Sequence, residues 1–307
     1  MAMKAGIIDN PNSGSAGDEG YLERFAKTLR AGGLEVEVLS TERPDHATEL
    51  ATMSGDRLII AAGGDGTVNE VVNGLSKDAT LGILPLGTAN VLARELGLPL
   101  KPEDACKRTL SGAGSRMDVG VATDEEGAER RFTCVAGIGF DAKLVREVTP
   151  RFKRYLRSLA FPLVALKVYF RGDLPDLHLI DGETTHVGQL AVVANGHYYG
   201  GDFKVAEDAS LRSGELEVVL IEKVGRLLRA DILTHVLAKR PLDRAAKSFP
   251  AQDIRAESPG KRVPVQIDGE VWGHLPMSFR IEPAAIRLIG YLKTSAEPGL
   301  LVARCSR

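Results

Sequence analysis

Two short stretches place carboxylates inside glycine turns. In "AAGGDGTVNEVVNGL", Asp65 lies between Gly64 and Gly66, directly after an apolar run and before a helical pattern. In "IDGE", Asp268 and Glu270 flank Gly269. Glycines at the head of a helix let a ligand approach the main chain, and the unpaired N–H groups with the positive dipole end favour phosphate. A bare carboxylate beside polyphosphate is repelled unless a cation lies between them. Magnesium reconciles the two, since it binds through one or two carboxylates plus phosphate oxygens. The alternative for Asp65 is a tight strand-to-helix turn whose acid bonds nearby amides. For "IDGE" the alternatives are a general base and an ordinary Asp-Gly hairpin turn.

These turns need elements to hold them. "KAGIIDN", "LEVEVLST", "RLIIAAGG" and "TLGILPLG" read as strands, separated by helical patterns at "YLERFAKTLRAGG" and "HATELATM", and at Val68, Val71, Val72 and Leu75 with Thr67 as a cap. Strand–helix alternation predicts a parallel sheet with crossover helices. After Asp118 the texture changes to strand-like runs joined by glycine or proline turns, which predicts antiparallel strands. The boundaries predicted are 1–117 and 118–289, with 290–307 packing back on the first domain.

Composition is that of an ordinary globular chain: 307 residues, 44% hydrophobic, 26% charged, net charge -2. Nothing in that balance asks for nucleic acid. The three cysteines are too few and too widely spaced for a disulfide framework or zinc cluster, and the six histidines have no metal-ligand spacing. No secretory leader or spanning helix is predicted. A dinucleotide fingerprint would need glycine where Asn69 stands, and a Gly-Lys-Ser/Thr loop is missing.

The motifs "NPNSG" (Asn10–Gly14), "GGDGTVNEVVNGL", "PLGTANVLAREL", "MDVG", "GIGFDA", "NGHYYGG" and "IDGE" occur in the order found in the diacylglycerol kinase catalytic family. The chain resembles that family, which includes sphingosine and ceramide kinases. The resemblance implies a three-layer α/β domain with a parallel sheet plus an antiparallel β-sandwich domain, as in NAD kinase and diacylglycerol kinase, with the nucleotide in the cleft between them. It implies that Asn10, Ser13, Gly14, Thr41, Gly64, Asp65, Gly66, Thr67, Val68, Asn69, Glu70 and Thr88 hold ATP. It implies that Asp65 and Asp118 hold Mg2+ through water, and that Asp268 or Glu270 is the base. Without the resemblance, Asp118 reads equally as a carboxylate closing a turn.

Two positions depart from the family. Val91 stands where many bacterial relatives have aspartate, an acid that is also missing in the sphingoid branch. Ser213 stands where they often have an aspartate that binds a structural metal, so that site is expected to be missing near Ser210, Ser213 and Glu215. On the acceptor side, Lys143 to Arg171 holds eight basic residues and one acidic, interleaved with aromatics. It reads either as a surface for an anionic membrane, with Arg151, Lys153, Arg154 and Arg157 facing it, or as a solvated basic face. The expectation is a cytoplasmic ATP-dependent lipid kinase, peripheral on the inner face of the membrane, acting on diacylglycerol or on ceramide or a sphingoid base. A metabolite kinase of the NAD kinase type is disfavoured, because its Thr-Pro-Thr-Gly-type segment is absent. A non-catalytic nucleotide-responsive membrane protein is the remaining alternative.

Overall fold

The computed structural model describes residues 3–11, 20–55, 57–77, 79–112, 114–139, 174–201, 203–222 and 246–290. The chain forms two compact units, Met1–Val119 with Pro283–Arg307, and Gly120–Glu282.

In the first unit β1 (Met3–Asp9), β2 (Leu34–Ser40), β3 (Leu58–Gly63) and β4 (Thr80–Pro85) pair in parallel in the order β2-β1-β3-β4. All of β3 is buried, because helices cover both faces of a parallel sheet and leave no place for alternating polar residues. Helices α1 (Tyr21–Ala31), α2 (His46–Met53), α3 (Asp65–Gly74), α4 (Val91–Glu95) and α5 (Pro102–Leu110) supply the connections. One core gathers Phe25, Ala26 and Leu29 of α1 and Ala105 and Cys106 of α5 against Ala5, Ile7, Ile60, Ala62 and Leu84. Against α2, α3 packs so closely that a Cβ on Gly74 would lie 2.1 Å from the Thr48 carbonyl oxygen.

Strand β5 (Gly114–Asp124) leads into the second unit, followed by β6 (Glu129–Phe132) and β7 (Val135–Ile138). The later strands are β8 (Leu177–Asp181), β9 (Thr184–Gly188), β10 (Leu190–Ala194), β11 (Tyr198–Tyr199), β12 (Phe203–Lys204) and β13 (Leu216–Ile221). They continue with β14 (Lys247–Ala251), β15 (Asp253–Glu257), β16 (Pro264–Ile267), β17 (Glu270–His274) and β18 (Met277–Ile289). An antiparallel sheet runs β14-β13-β10-β7-β16-β17. Strands β9, β8, β15 and the first part of β18 form a second antiparallel layer. Side chains alternate across each strand, and those turned inward (Ala136, Ile138, Val193, Val218 and Val265 from one sheet, Leu179, Ile254 and Phe279 from the other) make one core. Beyond Pro283, β18 belongs to the first unit, with Arg287 and Leu288 beside Thr80 and Leu81 of β4. Among the described residues no helix is long and apolar enough to cross a membrane.

Candidate active site

In the first unit two loops meet at the carboxyl ends of β3 and β4. Gly63 O accepts from Leu86 N at 2.9 Å. A Cβ on Gly87 would stand 2.5 Å from Gly64 Cα, so glycine is required here by the approach of two backbones. Asn90 closes the second loop: its Oδ1 accepts from Gly87 N and its Nδ2 donates to Gly87 O, both at 2.9 Å, with φ 48°. A short Asn tolerates that left-handed conformation.

Helix α3 starts at Asp65, two residues before the expected cap at Thr67, and its cap residue Gly64 is extended. Glycines at the turn let the helix begin early, so Thr67 lies within the first turn, where its Oγ1 accepts from Asn10 Nδ2 at 3.3 Å. Asp65 Oδ1 accepts from Val91 N at 2.5 Å, tying the head of α3 to the start of α4. Thr88 is exposed between them, and Thr41 N donates to Asp9 O at 2.8 Å.

The remaining residues of the motif lie deeper. Val68 and Asn69 are buried, and Glu70 Oε2 accepts from Ala47 N at 3.2 Å at the start of α2. Ser13 and Gly14 lie outside the described residues, as do the basic residues Arg151, Lys153, Arg154 and Arg157. Sequence reasoning passed over Asp9. It is buried with no hydrogen bond to Oδ1 among the described residues, and burial pushes its carboxyl above the ordinary range.

Asp118 is buried on β5, where its Oδ1 accepts from Ala284 N at 2.7 Å and so holds the bend of β18 at a residue with φ 50°. Asp65 and Asp118 thus each have an oxygen on a backbone amide. Among the described residues no three His, Cys, Asp or Glu side chains converge as a metal cluster. Magnesium binds through one or two carboxylates with waters and phosphate oxygens, so it does not require such a cluster.

In the second unit the "IDGE" acids are separated by environment. Ile267 pairs with Glu270 across a two-residue turn whose central residues, Asp268 and Gly269, have φ 45° and 90°, as a type I′ hairpin turn requires. The Asp268 carboxylate is enclosed by donors. Its Oδ1 accepts from Cys134 N and Val135 N, both at 3.0 Å, and its Oδ2 from Thr133 N at 2.7 Å and Thr133 Oγ1 at 2.9 Å. Glu270 is exposed, and its Oε2 pairs with Arg130 Nη2 at 2.9 Å. Sequence reasoning had no signal for Arg130 and Thr133, which lie more than 130 positions before their partners; Arg130 falls in "TDEEGAERR", which reads as a charged turn but whose end is strand β6 in the structure.

The expected departure at Ser213 has a clear geometry. Its Oγ lies 3.1 Å from Ser210 O and 2.9 Å from Glu215 O, and it accepts from Glu215 N at 3.3 Å. With a lone pair on an amide and its proton facing two carbonyls, this neutral hydroxyl closes the loop without the charge an aspartate would bring. Ser213→Ala is expected to lower stability by about 1 kcal/mol or less, since the group is exposed, and thermal unfolding would measure it. In crystals grown with Mn2+, no anomalous peak is expected beside Ser213 in the wild type; one there would contradict this geometry.

Comparison with known proteins gives the setting. Residues 4–122 match the family model of the diacylglycerol kinase catalytic domain, and residues 134–290 that of the YegS C-terminal NAD kinase beta sandwich-like domain. The diacylglycerol kinase of Bacillus subtilis (strain 168) is 30% identical over 292 residues, covering 90% of this chain and 92% of that protein. A protein of Chromohalobacter salexigens named "Probable lipid kinase YegS-like" is 32% identical over 248 residues, 78% of this chain and 77% of that one. A crystal structure of a diacylglycerol kinase from Bacillus anthracis str. Sterne superposes with a TM-score of 0.73 at 21% identity, covering 96% of this chain and 98% of that chain, which speaks for the fold. Two family models in succession, with the Bacillus subtilis relative matching over nine-tenths of its length, leave one conclusion: the chain belongs to the diacylglycerol kinase family of lipid kinases.

Proposed function

We propose that the protein transfers the γ-phosphate of ATP to the primary hydroxyl of a membrane lipid, with diacylglycerol as the acceptor and Glu270 as the general base. The observation that carries the choice of base is the contrast within one turn. Both oxygens of Asp268 accept hydrogen bonds from Thr133, Cys134 and Val135, whereas Glu270 is exposed and bonded at one oxygen. A carboxylate whose lone pairs are already committed has little capacity to take a proton.

In this reading Glu270 takes the proton of the lipid hydroxyl as its oxygen bonds to the γ-phosphorus, and the bond from that phosphorus to the ADP oxygen breaks. Asp268 fixes the turn from which Glu270 projects. Gly64, Asp65, Gly66 and Thr67 at the head of α3, with Asn10, Thr41 and Thr88, receive the phosphates through small hydroxyls, an amide and N–H groups of the first helical turn. Asp65 and Asp118 are the residues that would hold Mg2+, which when bound neutralises charge on the nucleotide phosphates. Val68, Asn69 and Glu70 support the helix that presents the loop. The basic aromatic segment around Arg151, Lys153, Arg154 and Arg157 supplies the contact with an anionic membrane, which makes the enzyme peripheral on the cytoplasmic face.

Diacylglycerol is favoured over ceramide or a sphingoid base because the Bacillus subtilis relative is named a diacylglycerol kinase. The experiment is an acceptor panel: purified protein, γ-labelled ATP and vesicles containing diacylglycerol, ceramide or sphingosine in turn. Labelled phosphatidic acid as the dominant product supports the proposal. A dominant ceramide or sphingoid phosphate would replace the acceptor, and, in a parallel reaction with NAD in place of vesicles, label in NADP alone would replace the reading.

A further inference from the structure

One stretch of chain, Arg130 to Val135, holds both carboxylates of the 268–270 turn. Thr133, Cys134 and Val135 bind Asp268, and Arg130, at the start of the same segment, binds Glu270. Arg130 and Arg131 are neighbours on β6 and therefore point to opposite faces of the strand. Arg131 Nε meets Glu282 at 3.3 Å, and Glu282 also accepts from Arg280, which reaches Glu129 at 3.0 Å. The other acids around β6 are thus held by Arg131 and Arg280, while Arg130 is directed to Glu270.

The two partners differ in exposure. The Arg130 side chain is 17% exposed and that of Glu270 53%. A cation sheltered against the sheet faces a carboxylate that is open to solvent. An ion pair with one partner so open contributes little to stability, so the main consequence of the contact is orientation. The guanidinium is a planar, permanently charged fork. The contact is single, Nη2 to Oε2 at 2.9 Å, and it restrains the direction in which Oε1 projects. Oε1 has no hydrogen-bond partner among the described residues.

Resting on the reading of Glu270 as the base, we propose that Arg130 is a positioning residue for phosphoryl transfer: by holding Glu270 Oε2 it presents Oε1 to the acceptor hydroxyl. The role is exerted through Glu270, and Arg130 itself need touch neither nucleotide nor lipid. This predicts a loss in turnover with little change in nucleotide affinity. It also predicts that Lys, which keeps the charge but lacks the fork, restores only part of the activity.

The test compares wild type, Arg130→Met, Arg130→Lys, Glu270→Gln and the Arg130→Met/Glu270→Gln double variant. For each, kcat and KM for ATP are measured by label transfer to diacylglycerol vesicles, with long incubations for the weak variants and thermal melts to confirm folding. Arg130→Met is expected to lower kcat roughly 10- to 100-fold, the range that small misplacements of a reacting group produce, with KM for ATP within about twofold, the mark of an interaction realised only in the transition state. Arg130→Lys is expected to fall between Met and wild type. In the Glu270→Gln background, adding Arg130→Met is expected to have no further effect, because residues acting as a unit are not additive.

Wild-type kcat in Arg130→Met would overturn the proposal. So would the same fold loss in both backgrounds, which would mark an independent role, or a loss expressed only in KM. Should Arg130→Met fail to fold, a Lys variant that is folded yet fully active would overturn the fork argument, and one with reduced kcat would support it. Wild-type activity in Glu270→Gln itself would overturn the base assignment, a failure distinct from the others.

Discussion

Glu270→Gln is expected to remove about three orders of magnitude of kcat, within the range contributed by general base catalysis, and to leave the melting temperature nearly unchanged. Asp268→Asn is expected to do the reverse in stability. At Glu270 the side chain is exposed, and loss of its pair with Arg130 changes stability by no more than about 1 kcal/mol. At Asp268 the backbone raises no objection, since Asn accepts a φ of 45° as readily as Asp. The conflict lies in the side chain. An Asn oxygen can still accept from Cys134 N and Val135 N, and the Thr133 hydroxyl can turn to accept, but the NH2 group then confronts the N–H of Thr133, donor against donor. An unmet donor of this kind costs about 2 kcal/mol, a drop in melting temperature of roughly 4–8 °C for a unit of the size of Gly120–Glu282. Measuring kcat and thermal unfolding on both variants separates the two roles. A stable, inactive Asp268→Asn beside an active Glu270→Gln would exchange them.

The second large effect is expected at Asp65. Asp65→Asn should lower kcat by about two to three orders of magnitude, the scale of a lost electrostatic contribution to the transition state, with the fold intact. The argument rests on what the substitution keeps. The amide oxygen of Asn can still accept from Val91 N, so the link between α3 and α4 survives while the negative charge is removed. Activity titrated against Mg2+ concentration is the appropriate measurement, since the variant should need more of the ion for its residual turnover. Full activity at unchanged Mg2+ demand would defeat the metal-phosphate argument. Asp65→Ala, which removes the acceptor as well, should also lower the melting temperature.

Much of this was legible in the sequence because the relevant signals are local. The apolar run Leu58–Gly63 specifies a covered strand, and glycines followed by an amphipathic pattern specify the turn into α3. The Asp-Gly dipeptide specifies the hairpin turn that places Glu270 at the head of β17. Of the two readings of "IDGE", the hairpin is what the backbone shows, and the general base is the reading proposed above. What the sequence leaves out are partners supplied from far along the chain. Nothing near Asp268 announces that amides 133–135 will saturate it, and nothing near Glu270 names Arg130. The start of α3 was misplaced by two residues because a capping signal at Thr67 competes with glycines that allow the helix to begin sooner, and the structure gives Thr67 to Asn10 instead. Gly87 illustrates a further limit: its need for a bare Cα comes from Gly64, which only the packed loops bring near.

The account stands most directly on the transfer of label from γ-labelled ATP to vesicle-borne diacylglycerol by wild type and Glu270→Gln side by side, each with Mg2+. The predicted result is label in the organic phase as phosphatidic acid for the wild type, lost by about a thousandfold in the variant. Label remaining wholly in the aqueous phase for the wild type, or equal transfer by both proteins, would contradict it.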